Sequence, residues 1–243
     1  MAGKMARATA LGAALLLACA LAPARAAFTH PGILVTAPML EQIRADVLAK
    51  KEPAYTAFTL AVNSTTMAYG GMPPVKMGSL AYVPHPQIMH SNGSGITANR
   101  EDSLASYTHA LLFAITRDAR HAELAITIMD GWTSIEQPPI DLANGLQVAW
   151  AAAVWPRAAE IIRHTYSKGW AGAAAWGAWM HKVFLPMVDE GASTNGNIGL
   201  VMTEAAAAIA VYNDNECVTA PLSLPAWRRL TGVGGGAQDR VAG

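Results

Sequence analysis

Apolar residues recur at helical spacing through most of this chain. Met39, Leu40, Ile43, Val47 and Leu48 follow Thr36, which predicts an amphipathic helix over 37–50 with Thr36 as its N-cap. A second apolar stretch from Tyr55 to Val62 is expected to pair with it. Residues 68–100 break the rhythm, because Gly70, Gly71, Pro73, Pro74, Pro84, Pro86, Gly93 and Gly95 do not sit inside regular helices, and a long loop is predicted there. The helical period returns with Leu104, Tyr107, Leu111 and Ile115, then with Leu124, Ile128 and Trp132, and Asp118 marks the turn between them. Pro138 and Pro139 close that pair. A long Ala-rich helix is predicted from Leu142 to Tyr166, interrupted near Pro156, followed by helices over Trp170–Val188 and Val201–Tyr212 with a loop from Asp189 to Gly199 between them. Alternating or β-branched runs are scarce. The fold class is therefore all-α, built of helical hairpins, and periodicity alone leaves a bundle, a solenoid and an α/α toroid open.

The two ends differ from this pattern. Lys4 and Arg7 precede the apolar run Ala8 to Leu21, and Ala24-Arg25-Ala26 offers a small-x-small cleavage site, so residues 1–26 read as a signal peptide and the mature chain as secreted or periplasmic. The run is too short to span a bilayer, which takes about 20 residues. Leu16-Leu17-Ala18-Cys19 offers the competing reading of a lipoprotein site. Residues 27–215 are expected to form one helical domain. From 216 to 243 the prolines, Arg228-Arg229 and the Gly232–Gly236 run carry no helical period, and this segment reads as an irregular tail.

Charge narrows the function classes. The chain has 17 basic and 17 acidic residues, without the basic stripe that would grip nucleic acid or an anionic membrane, so neither partner is expected after signal cleavage. A polyanionic substrate would have to be met by local charges. Cys217 is the one cysteine beyond the predicted cleavage site, so no intramolecular disulfide is expected and stability must come from burial, for which 52% hydrophobic residues suffice. Asn63-Ser-Thr and Asn92-Gly-Ser fit the glycosylation sequon. The seven histidines form no dense ligand cluster along the sequence, and no metal or organic cofactor is expected. A nucleophile elbow, a phosphate-binding Gly-rich loop and a redox Cys pair are absent from the sequence.

Four segments carry a family resemblance. They are Phe28-Thr29-His30-Pro31-Gly32-Ile33-Leu34 with the following helix, Ala105-Ser106-Tyr107-Thr108-His109-Ala110-Leu111 running to Thr116-Arg117-Asp118, Ala158-Ala159-Glu160-Ile161-Ile162-Arg163, and Asn195-Gly196-Asn197 leading into Met202-Thr203-Glu204-Ala205. In this order, over residues 28–213, they resemble the N-terminal portion of the alginate-lyase-domain family of helical-toroid polysaccharide lyases. The resemblance implies an α/α toroid, incomplete here, and β-eliminative cleavage of a uronic-acid polymer, alginate or glucuronan. It also implies that an Asn neutralises the substrate carboxylate while His, Arg and Tyr do or support proton transfer. The family's essential His and Tyr generally lie beyond the Asn-rich loop. A non-catalytic polysaccharide-binding piece and a glycoside hydrolase on a similar helical barrel are the alternative readings.

Elimination next to an ionised carboxylate is hard because the carbanion adds a second negative charge, so donors aimed at that carboxylate stabilise the transition state. A base must take the C5 proton and an acid must protonate the departing O4. Asn197 is the first candidate for the neutraliser and Asn195 the alternative. The same motif also reads as a turn with an N-cap. His90 and Asn92 in the long loop, Tyr107 and His109 on one helix, and Trp150 are candidate substrate contacts, each weighed against a plain surface or core role. Tyr107 and His109 lie two apart and face different ways.

Overall fold

The computed structural model describes residues 28–63, 76–90, 93–137, 142–192, 194 and 196–215. The predicted signal peptide, the irregular tail, Asn92 and Asn195 lie outside them. The described residues form eight helices and no strand: α1 (Ala37–Leu48), α2 (Ala54–Asn63), α3 (Ile96–Thr116), α4 (Ala119–Trp132), α5 (Leu142–Thr165), α6 (Ala173–Val183), α7 (Leu185–Gly191) and α8 (Gly196–Tyr212).

Local chemistry sets several boundaries. The Thr36 hydroxyl accepts the Met39 N–H, and Asp118 caps α4 by accepting the Arg120 N–H at 3.0 Å. Arg117 ends α3 in the left-handed region (φ 63°), its N–H returning to the Phe113 carbonyl. Two expectations change. Pro156 does not interrupt α5, although it cannot donate to the Ala152 carbonyl. Trp155, Ala158, Ala159, Ile161 and Ile162 around it are fully buried, so tertiary packing outweighs the lost bond. In contrast, the single helix expected over Trp170–Val188 is two: Phe184 separates α6 from α7, and Pro186 sits in the first turn of the second. Phe184 is fully buried and meets Trp179 edge-on at 5.1 Å, so the corner is a packed one.

The helices form two layers. In one, α3, α5 and α8 lie side by side and parallel. Near their N-terminal ends Arg100 bonds to Gln147, and a Cβ on Gly145 would meet the Met202 methyl at 3.2 Å. Toward their C-terminal ends the Phe113 and Tyr166 rings meet at 5.3 Å, and Arg163 donates to the Tyr212 carbonyl at 2.9 Å. The return helices make the second layer. α4 runs antiparallel to α3, as the His109–His121 and Asp102–Trp132 bonds show, Trp170 before α6 donates to Asp130 of α4, and Trp179 of α6 donates to the Ile135 carbonyl just after α4. Between the layers Trp132 packs on Trp155, and Trp176 packs on Trp170, Trp179 and Tyr212. Alanines 149, 151, 152, 153, 158 and 159 let α5 approach its neighbours closely.

A fully buried carboxylate fastens the irregular segment before α3. Asp102 accepts the Tyr82 hydroxyl at 2.6 Å, the Trp132 indole N–H at 2.7 Å, and both the backbone N–H and the Nδ1 of His85. The His85 Nε2 lies 3.0 Å from Glu101. The segment predicted as a loop is thus held to the helix it precedes. In Asp102→Ala these donors lose their acceptor, and unfolding in denaturant should show a loss of at least about 3 kcal/mol. A loss below about 1 kcal/mol would contradict this role.

Candidate functional site

From Gln147 to Ile162 α5 is buried except along one stripe, Gln147, Trp150, Val154 and Arg157, at steps of three and four residues. On α3 the matching stripe is Arg100, Leu104 and Tyr107, and on α8 it is Asn197, Leu200, Val201 and Glu204. Side-chain contacts join the stripes into one face. Arg100 bonds to Gln147 and stands over the Trp150 ring at 6.0 Å, and Arg157 pairs with Glu204 across to α8. Arg157 also acts electrostatically on Tyr107. Burial pushes the Tyr107 phenol up, and the Arg157 guanidinium opposes that rise without cancelling it.

The face ends where the N-termini of three parallel helices converge, so their positive dipole ends point to the same region. Asn197 stands there, exposed. It lies in the first turn of α8, because α7 extends to Gly191 and α8 begins at Gly196, which shortens the loop expected over Asp189–Gly199. Gly191 has no room for a side chain: a Cβ would sit 1.6 Å from the Met202 sulfur. Gly196 enters α8 with φ 73°, a conformation that favours glycine. His90 is exposed on the turn that leads into α3, its N–H bonded to the Ser94 carbonyl at 3.1 Å.

The predicted site residues therefore divide. Trp150, Tyr107 and Asn197 share the face, and His90 lies on the turn that precedes α3. His109 does not face out: it is fully buried, with its Nδ1 2.7 Å from the Nδ1 of His121 and its ring 6.4 Å from that of Tyr82. The physical reason is the two-residue offset from Tyr107, which turns His109 toward the return helix α4. Arg100, Gln147, Arg157 and Glu204 were not singled out from the sequence. Their signal was the polar stripe Gln147 and Arg157 on an otherwise apolar helix.

A second cluster stands toward the opposite end of α5. Glu160 is fully buried and lies 3.1 and 2.9 Å from the His30 Nδ1 through its two oxygens, while its Oε2 also accepts the Gly32 N–H at 3.0 Å. The His30 Nε2 faces Asp214 at 2.9 Å. His164, one turn beyond Glu160, stacks on His30 at 4.5 Å with its Nε2 3.5 Å from Glu160 Oε1. Burial pushes His30 down, but the carboxylates of Glu160 and Asp214 outweigh it and raise it overall. Burial lowers His164. The sequence reading found no metal-ligand cluster, yet donor atoms of His30, Glu160 and His164 lie within 4.8 Å of one another.

The buried His109–His121 pair gives a pH prediction. Burial and the proximity of His121 push His109 down from 6.5 to about 4. Between those values the unfolded chain binds more protons than the folded one, so stability is lost as pH falls from 6.5 through about 4 and is fully retained above 6.5. The contribution is on the order of 3 kcal/mol. Denaturant titrations across that window should show His109→Gln with a shallower decline than wild type, and an unchanged slope would contradict the assignment.

No protein-family model, curated protein or solved structure matches this chain.

Proposed function

We propose that this protein is an exported polysaccharide lyase that binds a uronic-acid polymer, alginate or glucuronan, along the face formed by α3, α5 and α8. The observation that carries this reading is the composition of that face: an exposed tryptophan, two arginines, a half-buried tyrosine and an asparagine, on a face that ends where three helix N-termini converge. An indole offers a sugar ring an apolar platform, and guanidinium groups and helix N-termini favour carboxylates. A layer of parallel helices joined by antiparallel returns is also the repeating unit of an α/α toroid, the architecture that the resemblance to alginate-lyase-domain enzymes implies.

In this reading Asn197 donates its amide to the substrate carboxylate and stabilises the enolate-like charge that develops when the C5 proton leaves. Tyr107, raised by burial, keeps its proton at neutral pH and, eleven residues into α3, offers its hydroxyl to the polymer farther along the same face. His90, exposed at the entrance to α3, is the candidate base, whereas His85 is held by Asp102 and Glu101. The carboxylate of this face among the described residues is Glu204, and it is paired with Arg157. A glycosidase needs two carboxylates flanking one bond, which favours elimination over hydrolysis.

The test is ultraviolet absorbance of the unsaturated uronate during incubation with alginate, polymannuronate, polyguluronate and glucuronan. Wild type should raise it on at least one polymer, and Asn197→Ala should slow that rise by about 10²–10³-fold, the usual effect of removing one oxyanion donor. New reducing ends without absorbance would indicate a hydrolase, and no product from any of the four would leave the face as a binding surface.

A further inference from the structure

The Glu160 cluster lies toward the end of α5 away from Asn197 and the helix N-termini: Gln147 and Glu160 are thirteen residues apart, roughly 20 Å along the axis, and Arg157, the last residue of the face stripe, precedes Glu160 by three. Three segments distant in sequence build it. His30 comes from the stretch before α1, Glu160 and His164 from successive turns of α5, and Asp214 from the residues after α8. We propose that His30 Nδ1, Glu160 Oε1 and His164 Nε2 form a binding site for a zinc-type divalent cation, with Asp214 as the outer carboxylate that orients His30.

The division of labour among the atoms supports this. Glu160 Oε2 accepts the Gly32 N–H and lies 2.9 Å from His30 Nδ1, while Oε1 faces both His30, at 3.1 Å, and His164, at 3.5 Å. The contacts among the three donors, 3.1 Å between His30 Nδ1 and Oε1 and 3.5 Å between His164 Nε2 and Oε1, are close to the donor spacing around a tetrahedral ion with bonds of about 2.0–2.2 Å. Asp214, 2.9 Å from His30 Nε2, fixes the tautomer that leaves Nδ1 free to ligate, the carboxylate–histidine–metal arrangement of many zinc sites. Two imidazoles and one carboxylate suit zinc, whereas magnesium prefers oxygen donors. His30 and His164 are 13% and 27% exposed, so an ion can reach them from solvent.

Two adjustments accompany binding. The cation takes the place of the proton shared between His30 Nδ1 and Glu160. His164 leaves its stack on His30, since rings within 10° of parallel do not aim their lone pairs at one point. His164 can turn because its link to the cluster, besides the stack, is the 3.5 Å approach to Glu160. An ion held this way would tie the segment before α1 to the last turns of α5.

The same property makes His164→Ala the informative variant, since it removes a ligand while His30, Glu160 and Asp214 keep their mutual bonds. The untagged full chain, stripped with chelator, is melted with and without zinc chloride and with magnesium chloride, and titrated with zinc by calorimetry. Wild type should gain about 5 °C or more in Tm at zinc well above its dissociation constant, with saturation at a single site and no gain with magnesium. His164→Ala should melt close to metal-free wild type and show neither the gain nor the tight site. No zinc-dependent gain in wild type, or an equal gain in His164→Ala, overturns the proposal.

Discussion

The burial of α5 is the constraint on which the rest depends. Its middle, from Val148 to Ile162, is enclosed except along one stripe, and its alanines bring α3 and α8 close on either side. Because those three helices run parallel, every asymmetry along them is shared. Their N-terminal ends gather on one side with Arg100, Gln147 and Asn197, and their C-terminal ends gather on the other with Arg163, Tyr212 and the His30 cluster. One helix therefore sets both the exposed face and the place where distant segments are tied together.

Polar groups inside the domain do the tying. Asp102 holds the segment before α3 by accepting from Tyr82, His85 and Trp132, and Glu160 holds the residues before α1 by accepting from His30 and Gly32. A buried carboxylate is costly unless its oxygens are bonded, and both are supplied with donors from elsewhere in the chain. Each therefore makes the position of an irregular segment depend on the helix core.

The helices were legible because their apolar residues recur with a helical period, and the turn at Asp118 and the cap at Thr36 follow from side-chain chemistry that a sequence displays directly. Pro156 misled because its local effect is opposed by the burial of Trp155, Ile161 and Ile162. The Asn195-Gly196-Asn197 motif was visible and also read as a turn with an N-cap, but the helix, expected from Val201, begins at Gly196 and includes Asn197. Trp150 could be named from the sequence, whereas its partner Arg100 lies fifty positions away on another helix, and such pairings are fixed by packing. The His30, Glu160 and His164 cluster stayed hidden for the same reason: 130 residues separate its first two members.

Trp150 offers the most direct test of the central claim that the α3/α5/α8 face receives an anionic sugar polymer. Among the described residues it is the exposed tryptophan, at 39%, while Trp132, Trp155, Trp170, Trp176 and Trp179 are buried. Tryptophan fluorescence should therefore change in a saturable way on titration with an oligouronate, weaken with added salt, and respond little to a neutral oligosaccharide of equal length. In Trp150→Phe the change should disappear while the folded state persists. An oligouronate signal of equal size in Trp150→Phe, or none in wild type, would contradict the assignment of this face.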